Sequence, residues 1–126
     1  MIIGIGTDVV EIDRLRRLRL RAEFLAQVFT RTEIHNAPRG PSQDTFYATL
    51  FAIKEALLKA LGCGLESGSL WREIQIAHDG RPHLSGLLGR LAEERSVSKI
   101  HVSHLHSDRN AIAFVLIETT NEEEIP

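Results

Sequence analysis

An aspartate interrupts the apolar N-terminal segment of the chain. Residues 2–10 are rich in β-branched side chains and contain two glycines, which predicts a strand buried on both faces, and Asp8 lies inside this segment. Burying a carboxylate is costly unless a cation or a metal ion pairs with it. The segment therefore leaves two interpretations open: Asp8 is a functional carboxylate, or it marks an exposed strand end.

A glutamate and a lysine occur four residues apart in the middle of the chain. Glu55 and Lys59 therefore share one face of a predicted helix. Such a pair is usually a solvated ion pair that contributes little to stability. Together with Asp8, however, it would supply two hard oxygen ligands for Mg²⁺ and an ammonium group for phosphate oxygens.

Three histidines lie close together near the C-terminus. If this segment is a strand, His104 and His106 face one way and His101 faces the other. The pattern His-x-His-x-Asp raises the hypothesis of a small zinc hydrolase that uses His104, His106 and Asp108. Zinc needs further ligands, and little chain remains to supply them. A single imidazole that contacts phosphate or transfers a proton is the favoured interpretation.

Five arginines fall within eight positions, 14–21. They are either ordinary surface charge or a docking surface for an acidic partner. The chain as a whole has 15 Lys and Arg against 17 Asp and Glu, a net charge of −2. We therefore expect no general electrostatic attraction to nucleic acid or to an anionic membrane.

The predicted helix that carries Glu55 and Lys59 spans residues 42–61. Its apolar side chains recur at steps of three and four, as an amphipathic helix requires; they are Phe46, Leu50, Ile53, Leu57 and Leu61. Gly62 and Gly64 follow, which is typical of a helix C-terminus. This helix is the element expected to position the Glu55–Lys59 pair.

The remaining elements surround this helix. Helical spacing extends from Arg14 to Val28, and Thr30 with Glu33 forms a capping-box pattern that begins a short helix. Further predicted elements are a strand at 73–77, a turn at 78–82, a return strand beginning at Leu84, a helix at 86–95, and strands at 99–105 and 110–118. Helices and strands do not alternate regularly, which predicts an α+β fold with a largely antiparallel sheet.

Length and composition indicate a single domain and exclude several classes of protein. A chain of 126 residues predicts a single domain over 1–126, whose last few residues, acidic at 122–124, are expected to be disordered. The longest apolar run, 111–117, is too short to span a membrane. The single cysteine excludes an internal disulfide and a cysteine zinc cage, and it favours a cytoplasmic location.

Two motifs carry a resemblance to a known family. Residues 4–12 (GIGTDVVEI) and 51–62 (FAIKEALLKALG), followed by 101–103 (HVS) and 111–115 (AIAFV), resemble the signatures of the holo-acyl-carrier-protein synthases. These are the small bacterial class of phosphopantetheinyl transferases. The motifs occur in the family's order, and the resemblance covers essentially the whole chain.

The resemblance implies a reaction and an architecture. Such enzymes transfer the phosphopantetheine arm of coenzyme A to a serine of apo acyl carrier protein and release 3′,5′-ADP. The implied architecture is the 4′-phosphopantetheinyl transferase fold, in which a largely antiparallel sheet packs with one long central helix. Family members resemble homotrimers with active sites between subunits.

The resemblance also implies roles for particular residues. By position, Asp8 and Glu55 would bind Mg²⁺, Lys59 would lie near the transferred phosphate, and His101 would contact the nucleotide, these four forming the catalytic set. The implied coenzyme contacts are Lys54, Lys59, Gly62, Gly64, Gly80, Arg81, Pro82 and His101. The arginines expected to dock the acidic helix of the carrier protein are Arg14, Arg17 and Arg21.

Six positions depart from the family pattern. Ser42, Gln43 and Asp44 stand where the family commonly has basic residues. Leu50 stands where the family usually has an arginine, His104 replaces an aliphatic residue, and Leu105 replaces a small hydroxyl residue. Loss of a cation would weaken phosphate binding. A non-catalytic module that binds carrier proteins is therefore the alternative to an active transferase, and the zinc hydrolase is the third hypothesis.

Overall fold

The computed structural model describes residues 1–63 and 70–120. Its elements, in chain order, are β1 (Ile2–Glu11), α1 (Ile12–Leu18), α2 (Ala22–Val28), α3 (Arg31–Asn36), α4 (Gln43–Ala60), a 3₁₀ turn (Trp71–Glu73), β2 (Ile74–Ile76), β3 (Pro82–Leu84), α5 (Gly86–Glu94), β4 (Val97–His106) and β5 (Asn110–Thr119). The long strands form an antiparallel sheet in the order β1-β5-β4, and β2 pairs with β3. The predicted α+β class is confirmed.

The helix α4 lies across one face of the large sheet, where it contacts both β1 and β5. Two glycines of β1 permit this close approach: a Cβ on Gly4 would clash with the Ala60 carbonyl, and a Cβ on Gly6 would clash with the Ala56 carbonyl. Gly4, Gly6 and Asp8 alternate onto the same face of the strand. The approach therefore brings Asp8 beside the C-terminal half of α4.

The expectation that β1 is buried on both faces is wrong for the single chain. The helices cover only the face that bears Gly4 and Gly6, and the other face exposes apolar side chains. Ile5 is 56% exposed, Val9 59% and Phe114, on the neighbouring strand, 48%. Such a contiguous apolar area on a sheet is typical of a surface that another protein molecule covers.

The helical spacing between Arg14 and Val28 belongs to two short helices, not to one. Leu15 and Val28 are both fully buried in the core. Thirteen residues of continuous α-helix would point these two side chains about 140° apart, at 100° per residue. The turn between α1 and α2 lets both side chains reach the core.

Local signals at the ends of two helices are confirmed. The Thr30 hydroxyl accepts from the backbone N–H of Glu33 at 3.2 Å, and the Glu33 carboxylate accepts from the N–H of Thr30 at 2.9 Å, which completes the capping box. Helix α4 ends at Ala60, and Gly62 follows two residues later with a φ of 78°, which suits glycine. Gly64 and the C-terminal residues 121–126 lie outside the described residues. No helix in the described ranges is long and apolar enough to cross a membrane.

Candidate active site

An aspartate of β1 meets a lysine of α4 at the edge of the sheet. Lys59 Nζ lies 2.9 Å from Asp8 Oδ1 and also donates to the Thr7 carbonyl at 3.1 Å. The Asp8 side chain is 18% exposed, whereas that of Lys59 is 48% exposed. The lysine therefore neutralises a largely buried carboxylate while its own ammonium group stays accessible to an anion.

Glu55 joins this pair from one turn earlier on α4. Burial raises the pKa of its carboxyl above the ordinary value, and the nearby Asp8 carboxylate also acts in that direction. The Trp71 indole, Lys59 and Arg14 act against this rise. Asp8, Glu55 and Lys59 therefore form one electrostatic cluster, the predicted trio of residues, and Arg14 is close enough to act on it.

Trp71 is part of this cluster and was missed by sequence reasoning. Its indole N–H donates to Glu55 Oε1 at 3.0 Å, and its ring packs on Phe51 with ring centroids 5.6 Å apart. Trp71 lies outside any periodic element and outside both motifs. The one available signal is its type, because a tryptophan that is partly buried usually finds a partner for its N–H.

The donor set of the cluster fits Mg²⁺. Asp8 and Glu55 present two carboxylates near each other, and bringing two like charges together is unfavourable unless a cation intervenes. The described residues include no group of three or more His, Cys, Asp or Glu side chains that could enclose a metal ion. Two carboxylates with an open side suit a metal that completes its shell with water and substrate phosphate, as Mg²⁺ does.

Lys54 lies in the core and not in the site. The prediction that Lys54 contacts the coenzyme is therefore wrong. The side chain has no exposed surface. Its ammonium group donates to the Val28 carbonyl at 2.8 Å, to Glu33 Oε1 at 2.6 Å and to the Trp71 carbonyl at 3.2 Å. All three donors are occupied in the core, so none remains for a ligand.

His101 lies in a different part of the molecule from the carboxylates. It lines a pocket of about 620 Å³ together with Arg81, Pro82 and Lys99. Its Nε2 lies 3.4 Å from Glu118 Oε2. Three of the predicted coenzyme contacts thus share one pocket, and this pocket carries cationic and titratable groups suited to phosphate.

The large sheet separates His101 from Asp8 within one chain. Ile5 pairs with Leu116, and Leu116 pairs with His101, so these three residues lie in one row across the sheet. Because side chains alternate along a strand, this row points to the face opposite Asp8. Asp8 and His101 also lie on the two different edge strands. One chain therefore does not bring the whole predicted catalytic set together.

A second pocket, of about 700 Å³, lies beside the N-terminal half of α4. Its walls combine apolar side chains such as Phe46, Leu50 and Leu105 with the histidines at 78, 104 and 106 and with Gly80. Leu50, His104 and Leu105, which all depart from the family pattern, therefore line the same pocket.

The zinc site predicted from His104, His106 and Asp108 is not assembled. His104 and His106 line the second pocket, whereas Asp108 is not among the residues that line it. The described part of the chain contains no three-residue cluster of metal-binding side chains. The pattern His-x-His-x-Asp arises because β4 runs directly into the turn before β5.

The arginine-rich segment divides into two sets. Arg16 and Arg19 form ion pairs with Asp44 at the start of α4, Arg16 at 2.8 Å. Arg14, Arg17 and Arg21, the three predicted to dock a partner, are exposed. The first set joins the end of α1 to the start of α4. The second set leaves exposed positive charge, of which Arg14 acts on Glu55 of the cluster.

Comparison with known proteins agrees with this geometry. The model of the 4′-phosphopantetheinyl transferase superfamily matches residues 4–115. The chain is 40% identical to a holo-[acyl-carrier-protein] synthase of Clostridium novyi, over 96% of this chain and 91% of that relative.

Solved structures show the same fold. The holo-[acyl-carrier-protein] synthase from Neisseria meningitidis superposes with a TM-score of 0.82 at 33% identity, over 94% of this chain and 100% of that one. The synthase from Bacillus anthracis, solved in complex with CoA (3′,5′-ADP), gives a TM-score of 0.72 at 29% identity, over 95% and 99%. The chain therefore belongs to the 4′-phosphopantetheinyl transferase superfamily, which confirms the family predicted from its motifs and makes it a phosphopantetheinyl transferase.

Proposed function

We propose that the protein transfers 4′-phosphopantetheine from coenzyme A to a serine of apo acyl carrier protein in a Mg²⁺-dependent reaction that releases 3′,5′-ADP. The observation that carries the proposal is the cluster of Asp8, Glu55 and Lys59, which joins both motifs across β1 and α4. The comparison with synthases, one of them in complex with CoA (3′,5′-ADP), supports the same substrates.

The cluster supplies the groups that phosphoryl transfer requires, namely positioning and neutralisation of phosphate charge. Asp8 and Glu55 hold Mg²⁺, which when bound neutralises charge on the diphosphate of coenzyme A. Lys59 donates from its accessible ammonium group to a phosphate oxygen. The serine oxygen forms a bond to the phosphorus that bears the pantetheine arm, and the bond from that phosphorus to 3′,5′-ADP breaks. A carboxylate of the cluster accepts the serine proton.

Coenzyme A is bound by residues of two chains in this proposal. Gly62 follows Lys59 just after the end of α4, and Gly80 lines the pocket beside the N-terminal half of α4. Arg81 and Pro82 share a pocket with His101, whose side chain lies on the face of the sheet opposite Asp8. A second copy must therefore present its own His101 pocket to the cluster. The exposed apolar face of the sheet is the surface that such a copy would cover, and the family resemblance implies a homotrimer.

The acyl carrier protein docks on the exposed arginines of α1 and the following turn. Arg14, Arg17 and Arg21 form a local cationic surface although the chain is slightly acidic overall. Arg14 acts electrostatically on Glu55, so this surface adjoins the cluster. An acidic helix bound there would bring its serine close to the reacting phosphate. The cytoplasm remains the predicted location.

A mass-shift assay tests the proposal. Incubation with coenzyme A, MgCl₂ and two or three apo carrier proteins is expected to add one phosphopantetheine to the carrier, and removal of Mg²⁺ with EDTA is expected to abolish the addition. Asp8→Ala and Glu55→Ala should each reduce the rate at least 100-fold while the variants stay folded. Glu94→Ala removes an exposed carboxylate of α5 and serves as the control. The proposal is abandoned if no carrier gains mass.

A non-catalytic carrier-binding module is the second candidate, because Leu50 lines the second pocket where the family usually has a cation. The lining of this pocket contains neither Lys nor Arg among the described residues. The same assay separates the two candidates. A module would bind apo carrier in a titration without adding mass to it, whereas measurable transfer excludes the module.

A further inference from the structure

Trp71 is held by helix α4 at three points. Its ring packs on Phe51 at an interplanar angle of 56°, and its indole N–H donates to Glu55 Oε1 at 3.0 Å. Its backbone carbonyl accepts from Lys54 Nζ at 3.2 Å. Adjacent residues of one motif, Lys54 and Glu55, therefore hold opposite ends of the same tryptophan.

The attachment to Lys54 is rigid because the lysine is part of a buried ion pair. Lys54 and Glu33 are both essentially inaccessible to water, and the second carboxylate oxygen of Glu33 accepts from the Ile76 backbone N–H at 2.8 Å. Any displacement of the Trp71 backbone would leave a donor of a buried charge unsatisfied, which is unfavourable. The 3₁₀ turn and β2 are thus fixed relative to α3 and α4.

The hydrogen bond from the Trp71 indole limits the conformations of the Glu55 side chain. A glutamate side chain has several rotamers of similar energy, and a hydrogen bond to one carboxylate oxygen selects among them. The bond occupies Oε1 of Glu55, and no described residue donates to Oε2. The carboxylate therefore presents Oε2 as its open oxygen, and the charge of Asp8 acts on the same carboxyl group. Protein donors that hold one oxygen of a ligating carboxylate in this way orient it toward the metal.

We propose that Trp71 is a positioning residue, whose indole N–H orients Glu55 for Mg²⁺ while Lys54 holds the tryptophan backbone. The inference rests on the proposed function, because it takes Glu55 to be a metal ligand. The competing explanation is that the indole ring only fills space against Phe51.

Two substitutions separate these explanations. Trp71→Phe keeps an aromatic ring on Phe51 and removes the N–H, whereas Trp71→Leu removes both. The first measurement is the MgCl₂ concentration that gives half the maximal rate at saturating coenzyme A and carrier. The second is the dissociation constant of Mg²⁺ from calorimetric titration in the presence of coenzyme A, which needs no turnover.

For Trp71→Phe we expect the MgCl₂ concentration at half the maximal rate and the Mg²⁺ dissociation constant to rise about 10-fold or more. Loss of a hydrogen-bond donor to a metal ligand usually has an effect of this size. The turnover number at saturating MgCl₂ should stay within about threefold, and the melting temperature should change little. Arg72→Ala, an exposed neighbour in the same turn, is the matched control. The inference is overturned if Trp71→Phe needs the same Mg²⁺ as the wild type while only Trp71→Leu is impaired.

Tryptophan fluorescence adds a direct readout, because the chain contains one tryptophan. MgCl₂ added with coenzyme A is expected to change the emission of the wild type and not that of Glu55→Ala; emission that stays unchanged in the wild type contradicts the inference. If the wild type shows no transfer, the proposed function fails while calorimetry and fluorescence still decide the role of Trp71. If transfer is normal and Mg²⁺ binding is unaffected in Trp71→Phe, only the inference fails.

Discussion

Neighbouring residues of one helix serve different purposes in this protein. Lys54 points into the core, where it neutralises Glu33, and Glu55 points toward Asp8 and Trp71. Because successive helical residues are 100° apart, adjacent charges in a motif face different surroundings. A residue of a buried ion pair and a proposed metal ligand therefore occupy consecutive positions, and only the contacts of each side chain distinguish them.

The ion pairs of Asp44 predict how the stability of the folded protein depends on pH. Burial opposes its charge, but hydrogen bonds and ion pairs with Arg16 and Arg19 outweigh burial, so the pKa of Asp44 lies below its ordinary value. A lowered pKa in the folded state contributes stability above the ordinary carboxyl pKa, and this contribution is lost as pH falls through the folded pKa.

Asp44→Asn is therefore expected to lower the free energy of unfolding at pH 7 by about 1 kcal/mol, since Arg16 is half exposed and its ion pair is partly screened. The difference from the wild type should shrink steadily as the pH falls below about 4. Urea unfolding from pH 7 to pH 3 measures both quantities. A difference that stays constant with pH would show that charge is not the cause.

At the scale of elements, the close approach of β1 to α4 creates the cluster. Gly4 and Gly6 place the strand against the helix backbone, and this contact sets the position of Asp8 relative to Lys59. The sequence motif that contains Asp8 is thus a packing motif as much as a chemical one. Its glycines are required because any side chain would hold the two elements apart.

Gly6→Ala is expected to impair both folding and activity. The added methyl group would clash with the Ala56 carbonyl, so the strand must move away from the helix, at a cost of about 2–4 kcal/mol. The rate of transfer should fall more than the loss of folded protein explains, because Asp8 moves with the strand. Thermal unfolding and the mass-shift assay measure the two effects.

Gly89→Ala is the control for this substitution. Gly89 lies within α5, and its added Cβ would be 3.3 Å from the Leu84 carbonyl oxygen, a contact that a small adjustment relieves. Alanine also favours the helix over glycine by up to about 1 kcal/mol. We expect near-normal stability. Because Gly89 also lines the pocket of His101, this control is read from thermal unfolding and not from transfer. Equal damage from both substitutions would indicate a general sensitivity to added volume.

At the scale of the whole molecule, a single chain contains the candidate catalytic residues but does not bring them into one site. Asp8 and His101 lie on opposite faces and on opposite edge strands of the sheet. The face that bears His101 exposes apolar side chains, which a second copy would bury. A ring of copies, each presenting one edge to the next, would place a complete site at every contact.

Mixed oligomers test this arrangement. Asp8→Ala and His101→Ala should each be nearly inactive alone. In a mixed oligomer, a site is intact when one copy supplies Asp8 and the next copy supplies His101, and each condition holds with a probability of one half. Co-expression should therefore restore about a quarter of wild-type activity. Co-expression of Asp8→Ala with Glu55→Ala should restore nothing, since both residues come from the same copy. Recovery in neither mixture would argue for sites built within single chains.

Much of the fold could be predicted because its signals are local. The apolar stripe of α4, the capping box at Thr30 and the turn at Gly80 depend on residues a few positions apart, and all three are present in the structure. The two motifs likewise identified the family and the cluster of Asp8, Glu55 and Lys59, since type and spacing suffice to recognise them.

The remaining features depend on contacts between distant segments, which spacing along the chain does not encode. Burial of Lys54 depends on Glu33 and on the Trp71 carbonyl, so its place in the core became apparent only with the packing. The hydrogen bond from Trp71 to Glu55 joins segments 16 residues apart. The separation of His101 from Asp8 follows from strand order and register. The sequence by itself determined the family and the candidate groups Asp8, Glu55, Lys59 and His101, because residue type and spacing within a motif are local. Tertiary packing decided which of these groups meet within one chain, because strand order and register join distant segments.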